Sequence, residues 1–224
     1  KGKAYRIKCF EVPEGSRISK GTHIVNLLPL EAEERITAML RVSEFDEDKY
    51  VCMVTRKGII KRTWLNSFSN VRKSGIIAVD LDEGDELAWV QMTDGYQTLV
   101  VATRKGMAIR FDENDVRVMG RTARGVKAID LAEGDEVVGM SVCEAGKYLL
   151  TVSETGLGRL SEFDDYRIQT RGGKGLINYH TDEFGDVAAI KTVDLADDVI
   201  LIASDGVIIR IPANEIRLCR RPSK

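Results

Sequence analysis

The chain has 224 residues, of which 43% are hydrophobic and 30% charged, and this length suffices for one large all-β domain or two small ones with a real hydrophobic core. No run approaches the ~18 consecutive apolar residues of a membrane-spanning helix, and no secretory signal opens the chain, which argues against a membrane or secreted protein. The net charge of −2 argues at first sight against nucleic acid. The positions of the charges matter more than their sum.

The residues that usually carry metal or catalytic chemistry are few and scattered. Cys9, Cys52, Cys143 and Cys219 lie 43, 91 and 76 residues apart, so no CxxC pair is present for zinc. Three of the four lie in or beside apolar, strand-like segments, which favours buried, reduced thiols in a cytosolic protein. The sequence has two histidines and shows no nucleophile motif, P-loop or carboxylate cluster beside a glycine loop. We therefore expect no catalytic residue, no metal and no cofactor.

The chain is built from a repeat of about 50 residues. One glycine series steps by 48, 50 and 50 residues, at Gly58, Gly106, Gly156 and Gly206. A second series steps by 54, 50 and 50 residues, at Gly21, Gly75, Gly125 and Gly175. Because two independent markers share one period, the repeat is secure. Five units are visible.

Each unit contains short apolar runs, rich in β-branched and aromatic residues and separated by turn residues, which predict four strands. In the first full unit they are Ile36–Val42, Tyr50–Thr55, Ile59–Trp64 and Ile76–Leu81. The next units match, at Leu87–Met92, Thr98–Ala102, Met107–Phe111 and Val126–Leu131, then at Val137–Val142, Tyr148–Val152, Leu157–Leu160 and from Leu176. No segment keeps a helical period over ten residues. We predict a single all-β domain, 1–224, with a propeller-like fold of four-stranded blades.

Both ends of the chain fall within a repeat unit. The sequence opens with Lys1 rather than methionine, and residues 187–224 lack the last strand of their unit. We therefore expect a fragment. Whether it closes a ring of blades is left open.

Cations precede the second-series glycine in every unit. They are Arg17 and Lys20; Arg72 and Lys73; Arg121 and Arg124; Arg171 and Lys174; and Arg220, Arg221 and Lys224. Acidic residues follow the next strand, at 31–34, 82–86, 133–136 and 182–186. A strand of about six residues would separate the two sets by roughly 20 Å. The pattern predicts a positive rim on an acidic body.

The hairpin turns provide an internal comparison for the rim. Two of them are basic, at 56–57 and 104–105, whereas the later turns read Glu154-Thr155 and Ser204-Asp205. The hairpin site changes sign while the rim site stays basic in all five units, which favours a polyanion partner over merely solvated loops.

Two further arginine series leave alternatives open. The arginines that close the third strands, Arg62, Arg110 and Arg210, could reach the polyanion or pair with acids of a neighbouring unit. A second series lies at strides of 50, at Arg117, Arg167 and Arg217. Its members could be structural ion pairs or secondary phosphate contacts.

The most glycine-rich rim segment is Gln169–Gly175, which reads QTRGGKG. Its glycines, Gly172, Gly173 and Gly175, carry no Cβ and allow a partner to approach the backbone closely. Arg171 and Lys174 add positive charge, and Gln169 can donate its side-chain amide to a phosphate oxygen. Such a loop suits a sugar–phosphate backbone. The sequence has no aromatic row suited to stacking single-stranded bases.

This loop resembles the QRRGGKG box of the C-terminal domain of bacterial DNA gyrase A subunits, with Thr170 the departure. The segments IVNLLPLEAEERITAMLRVSEF (Ile24–Phe45) and MGRTARGVKAIDL (Met119–Leu131) also resemble that family, and the resemblance covers the whole chain. It implies a six-bladed β-pinwheel that exchanges strands between blades, wraps duplex DNA around its outer rim and supports negative supercoiling. The family's principal box lies in the first blade, so the resemblance leaves open that Gln169–Gly175, in the fourth unit, is a secondary copy.

The resemblance also implies partners and a location. The partners are duplex DNA, the gyrase B subunit, and the rest of the gyrase A subunit. The strand-cleaving tyrosine and the ATP site lie elsewhere, so the chain is expected to be an accessory domain, monomeric when isolated and associated with the cytoplasmic nucleoid rather than a membrane. The C-terminal domain of the topoisomerase IV A-type subunit is one alternative. A propeller-like protein-interaction module is another, and it would not require cations in every unit.

Overall fold

The computed structural model describes residues 2–16, 18–32 and 34–222, and nearly all of its regular structure is β. The strands are β1 (Lys3–Ala4), β2 (Tyr50–Thr55), β3 (Ile59–Trp64), β4 (Ile76–Ile77), β5 (Leu87–Thr93), β6 (Thr98–Thr103), β7 (Met107–Asp112), β8 (Val126–Lys127), β9 (Val137–Cys143), β10 (Tyr148–Ser153), β11 (Gly158–Glu162), β12 (Leu176–Ile177), β13 (Val187–Val193), β14 (Asp198–Ile202) and β15 (Ile208–Pro212). One four-residue helix, α1 (Thr181–Phe184), precedes β13. Short 3-10 turns lie at Cys9–Glu11, Ile24–Asn26, Leu65–Phe68, Glu113–Asp115, Phe163–Asp165 and Ala213–Glu215. None of the described helices is long and apolar enough to cross a membrane.

The centre of each blade is an antiparallel hairpin closed by a first-series glycine. In the hairpin of β2 and β3, Gly58 has φ of +79°, which a side chain rarely adopts. The hydroxyl of Thr55 accepts a hydrogen bond from the Ile59 amide at 3.1 Å and closes the same turn. Gly106 plays the same part between β6 and β7, with φ of +84°. The predicted hairpins are therefore confirmed.

The two strands that flank the hairpin in each four-stranded sheet come from the following unit. One sheet has the order β5-β2-β3-β8 and the next has the order β9-β6-β7-β12, read from the first strand of the next unit outward. Thus the first and fourth strands of a sequence unit flank the hairpin of the unit before it. This confirms the strand exchange implied by the resemblance, and it means that a sequence repeat is not a structural blade.

The first strands of successive units lie next to one another on the inner side of the domain. Strand β9 contacts both β5 and β13. The Thr192 hydroxyl of β13 donates to the Val142 carbonyl of β9 at 2.6 Å. Gly139 of β9 packs against Ile190 with no room for a side chain. Because these strands form the inner side of each sheet, β8 and β12 lie at its outer edge.

The hydrophobic core lies between consecutive blades. One cluster joins Ile60 of β3 to Leu99 and Phe111 of the next sheet, and all three are inaccessible to solvent. A second cluster joins Val100 to Leu149 one blade further on. Burial of each large side chain contributes about 1.5–3 kcal/mol, so packing between blades stabilises the array as a whole.

The strand predictions are wrong for Ile36–Val42 and for the length of the fourth strands. The predicted strand Ile36–Val42 is irregular, because the preceding unit offers only β1 among the described residues and no hairpin for it to join. The predicted fourth strands of about six residues are two residues long. After two pairs, the edge of β3 reaches its turn, and the Ala128 amide donates to the Gly58 carbonyl at 2.8 Å instead.

The cysteines are only partly as expected. All four are free, which agrees with reduced thiols. Cys52 is buried, and burial raises the pKa of its thiol to about 12. Cys143 and Cys219 are half-buried, while Cys9 is exposed, so the prediction of buried thiols is wrong for Cys9.

Candidate nucleic-acid interface

The sequence-predicted basic segments lie on the outer edge of the blades. In one unit Val118 forms a parallel bridge to Arg62 at the end of β3, and β8 pairs with Ile59 and Ile60 at its start. The residues between must therefore cross the outside of β3. Equivalent bridges join Ile168 to Arg110 and Leu218 to Leu160. We call residues 69–75, 119–125, 169–175 and 219–222 the rim loops.

One arginine in each later rim loop anchors the loop to the preceding unit. Arg171 donates from Nε to the Asp115 carbonyl at 2.8 Å and from Nη1 to the Lys127 carbonyl at 2.9 Å. Arg221 donates in the same way to the carbonyls of Asp165 and Ile177. Arg121 lies 3.4 Å from the Ile77 carbonyl. These guanidinium groups hold the loops in position and have fewer donors left for a phosphate.

Two of the glycines in the QTRGGKG loop are required by the fold. Gly172 has φ of +83°, and its amide donates to the Ala128 carbonyl at 2.6 Å. Gly175 has φ of +78°, and a Cβ there would collide with the Ala108 carbonyl. Gly173 is exposed, and a Cβ there would meet nothing closer than 3.8 Å. Of the three, Gly173 is the one that the fold does not demand.

The side chain of Gln169 is turned inward. Its Nε2 is inaccessible to solvent and has no hydrogen-bond partner among the described residues. Its backbone amide donates to the Arg110 carbonyl at 2.8 Å. In this conformation the amide nitrogen does not face a ligand outside the rim, so a phosphate contact from Gln169 requires another rotamer.

Five of the sequence-predicted cations are exposed and form no ion pair or side-chain hydrogen bond with the described residues. They are Lys20, Arg72, Lys73, Lys174 and Arg220. Arg17 and Lys224 lie outside the described residues. A shallow groove between rim loop 69–75 and the next loop is lined by Arg72 and Arg121. Arg72, Lys73, Lys174 and Arg220 lie in the rim loops of three units, on the outer edge of the blades, where a polyanion can reach them.

One rim cation is paired with the acidic segment of the preceding unit. Arg124 binds Asp82 through two hydrogen bonds of 2.5 Å, and these bonds lower the pKa of the Asp82 carboxyl. The predicted separation of about 20 Å concerned the basic and acidic segments at the two ends of one strand, whereas this contact joins segments of neighbouring units. Both groups are exposed, so the pair stabilises the fold little.

The acidic segments mainly hold the hairpin turns. Asp85 accepts a hydrogen bond from the Lys57 amide at 3.0 Å, and Asp135 accepts one from the Lys105 amide at 2.9 Å. The ammonium groups of the same two lysines donate to backbone carbonyls of the acidic segments, at 2.7 and 2.6 Å. Arg104 forms ion pairs of 2.8 Å with carboxylates at 154 and 186. The charges of the basic hairpin turns are thus used within the protein, whereas most rim cations are not.

The arginines that close the third strands are also engaged within the protein. Arg62 is buried, and its Nη1 lies 3.2 Å from the carboxylate of Glu113 in the next unit. Arg110 donates to a backbone carbonyl of the next unit at 2.7 Å. Arg210 pairs with Asp198 of its own unit. Of the two alternatives for this series, the structure favours internal pairing, and for Arg62 and Arg110 the pairing joins neighbouring units.

Sequence reasoning missed the buried carboxylate of Glu113. Besides its contact with Arg62, it accepts hydrogen bonds from the backbone amides at 95 and 97, at 2.8 and 3.0 Å. The other units carry Leu65, Phe163 and Ala213 at this position. A single acid in an otherwise apolar column was the signal that could have revealed it.

Sequence reasoning also missed a buried cation beneath one rim loop. Lys61 is 1% exposed and donates from Nζ to the carbonyls of Ala78, at 2.6 Å, and Arg121. Desolvation by burial, reinforced by the charge of Arg121 and opposed by Asp80, lowers the pKa of Lys61 to about 8. The other units carry Ile109, Arg159 and Ile209 at this position. Comparison of the units was again the available signal.

A hairpin flanked by strands of the next unit, repeated with cations along the outer edge, defines a propeller-like repeat domain of the pinwheel type. The chain belongs to the family of DNA gyrase C-terminal domains, a beta-propeller family whose model matches residues 1–43, 49–94, 97–144, 147–194 and 197–224. The matched segments 49–94, 97–144 and 147–194 keep the period of about 50 residues, but each begins at a hairpin and ends after the first strand of the next sequence unit.

Sequence relatives agree with this family. The chain is 46% identical over 222 residues to the DNA gyrase A subunit of Clostridium acetobutylicum, which is 99% of this chain and 27% of that protein. It is 52% identical over 125 residues to the DNA gyrase A subunit of Halalkalibacterium halodurans, which is 56% of this chain and 15% of that protein. The chain thus spans about a quarter or less of the length of these relatives.

Solved structures are similar to the fold throughout. The C-terminal domain of DNA topoisomerase IV superposes with a TM-score of 0.90 at 25% identity, covering 100% of this chain and 71% of that one. The DNA gyrase A C-terminal domain superposes with a TM-score of 0.85 at 26% identity, covering 98% of this chain and 72% of that one. The fold is therefore shared by both topoisomerase types, and the sequence relatives favour gyrase A.

Proposed function

We propose that this domain binds duplex DNA without sequence preference around its outer edge, bends and wraps it, and thereby supports negative supercoiling by DNA gyrase. The observation that carries the proposal is the division of charge: the hairpin cations are paired internally, whereas four cations of the rim loops have no partner among the described residues. Exposed, unpaired cations on several units suit a phosphate backbone, which supplies most of the affinity in non-specific binding.

The proposal extends to the larger assembly. As a domain of a gyrase A subunit, the chain would act beside the gyrase B subunit, in the cytoplasm with the nucleoid. We infer an accessory role in which strand cleavage and ATP hydrolysis take place elsewhere. Two observations support this inference. The chain belongs to the family of DNA gyrase C-terminal domains, and it spans 27% of the length of the gyrase A subunit of Clostridium acetobutylicum.

The salt dependence of binding tests the proposal directly. If about eight phosphates are contacted, log K should fall against log[salt] with a slope near −7, at ~0.9 per contact. Fluorescence titration with duplexes of unrelated sequence measures this slope. Tight binding to one sequence with a flat salt response would contradict the proposal.

A topoisomerase IV type of domain is the second candidate, because the structural match to that domain covers the whole chain. The two candidates differ in whether the bound DNA is wrapped with a fixed hand. Ligation of nicked circles in the presence of the domain should shift the linking number if DNA is wrapped with a fixed hand. Binding without such a shift would favour the second candidate.

A further inference from the structure

A second row of arginines lies beside the rim loops at strides of 50 residues. Arg117, Arg167 and Arg217 are exposed, and none of their side chains forms a hydrogen bond or ion pair with another described residue. The interpretation of this series as structural ion pairs is thus not what the structure shows. In the first of the three positions, Val116 is fully buried and Val118 bridges to β3, so both neighbours of Arg117 are held by the blade.

Each of these arginines starts the segment that crosses the outer edge of a blade. Val118 bridges to Arg62, and β8 begins opposite Ile60. Arg62 lies two positions after Ile60 on the strand, so the start and end of the segment lie roughly 7 Å apart along β3 at ~3.4 Å per residue. Arg117 is therefore close to the rim loop of its own unit.

The rim loop of the following unit reaches the same place. Arg171 donates to the carbonyl of Asp115, two residues before Arg117. One unit later, Arg221 donates to the carbonyl of Asp165, two residues before Arg167. Arg117 and Arg167 thus lie at the junctions between consecutive rim loops, where the anchoring arginines tie one blade to the next.

The chemistry at these junctions suits phosphate. The anchoring guanidinium groups are engaged with carbonyls, and Arg124 is engaged with Asp82, whereas the side-chain donors of Arg117 and Arg167 are free of other described residues. A planar guanidinium matches two phosphate oxygens and remains charged at any physiological pH. Neighbours held by the blade fix the backbone from which the guanidinium of Arg117 extends.

We propose that Arg117, Arg167 and Arg217 bind phosphodiester groups of duplex DNA beside and between the rim loops, so that the DNA backbone meets a cation at the blade junctions as well as on the loops. The proposal rests on the proposed function and adds binding residues to it. Unlike the anchoring arginines, these side chains have no part in holding the described fold together.

A pair of matched double variants tests the proposal. Arg117→Gln with Arg167→Gln removes both junction cations. The control, Arg41→Gln with Lys191→Gln, removes the same charge from two exposed residues that form no ion pair with the described part of the chain. Arg41 follows Leu40, which packs against a core cluster, and Lys191 lies on β13. Each lost phosphate contact reduces the salt slope by about one. We expect the slope to fall by about two for the junction variant and to stay unchanged for the control.

A lysine variant distinguishes loss of charge from loss of structure. Arg117→Lys with Arg167→Lys should keep the slope, because an ammonium also neutralises a phosphate; a loss equal to that of the glutamine variant would overturn the proposal. Equal slopes for the junction variant and the control would overturn it too, while leaving the proposed function intact. Absence of salt-dependent binding by the unaltered protein would instead remove the proposed function itself.

Discussion

At the scale of single residues, the rim separates two uses of positive charge. Arg171 is tied to two carbonyls of the preceding unit, whereas Lys174, three residues later, is exposed and forms no ion pair with the described residues. Arginine suits the first use because its fork of donors binds several acceptors at fixed geometry. Lysine suits the second because its flexible ammonium can follow a phosphate. Residues of one charge in one loop therefore differ: Arg171 is engaged in the fold, while Lys174 remains available to a partner.

The buried Lys61 predicts a pH dependence of stability. Its folded pKa of about 8 lies below the ordinary 10.5, so the unfolded chain binds more protons between these values. The free energy of unfolding should therefore rise as pH increases from about 8 to 10.5. The same gain is lost when the pH is lowered from 10.5 to 8. The neutral amine keeps two N–H donors for the Ala78 and Arg121 carbonyls.

Urea unfolding of the protein and of Lys61→Met at pH 7 and pH 10 measures this effect. The difference in stability between the two proteins should grow in favour of the unaltered protein on going to pH 10, by on the order of 2 kcal/mol. A difference that does not change with pH would show that folding does not lower the pKa of Lys61.

Substitution by alanine should have very different effects on stability at two glycines of the QTRGGKG loop. Gly175→Ala places a Cβ against the Ala108 carbonyl at φ of +78° and should cost roughly 2–4 kcal/mol of unfolding free energy. Gly173→Ala meets no close neighbour and should change stability by less than about 0.5 kcal/mol. If Gly173 serves close DNA approach, its alanine variant should nevertheless bend DNA less. Unchanged bending would assign Gly173 no part in binding.

At the scale of elements, the sequence predictions succeeded where local chemistry decides the structure. Turn glycines and β-branched runs place β2, β3, β6 and β7 within a residue of the observed bounds. The predictions failed where the partner is distant in sequence. Ile36–Val42 carries the same pattern as β5 but lacks a hairpin to join, and period alone could not show that each first strand pairs with the unit before. The rim residues were found from their period, but not which of them anchor the loops.

Two single variants distinguish the anchoring arginine of a rim loop from its free cation. Arg171→Ala removes the hydrogen bonds to the carbonyls of Asp115 and Lys127, so the loop should lose its fixed position and bending should fall more than binding. Lys174→Ala removes a free charge and should lower the salt slope by about one without loss of stability. Energy transfer between dyes at the ends of a ~40 base-pair duplex reports bending. Identical effects of both variants on bending and slope would contradict the division.

At the scale of the whole molecule, a net charge of −2 is compatible with a DNA-binding surface because the two signs occupy different places. Acids of the 82–86, 133–136 and 182–186 segments hold the hairpin turns, as the contacts of Asp85, Asp135 and Asp186 show. Free cations lie on the outer edge of the rim. The repeat predicts where these cations lie along the sequence, but not the contact of Arg124 with Asp82, which depends on how adjacent units pack.

Wrapping requires several rim loops to act on the same DNA at once. Bending duplex DNA through half a turn over ~40 base pairs costs on the order of 10 kcal/mol, given a persistence length of ~150 base pairs. One exposed loop cannot offset that cost, whereas binding to a straight segment needs fewer contacts. Neutralising Arg72 with Lys73, then Lys174, then Arg220 to glutamine should abolish bending while much of the salt-dependent binding persists. Bending and affinity that decline in strict proportion, or bending lost entirely with the first loop, would show that the loops do not share the work of wrapping.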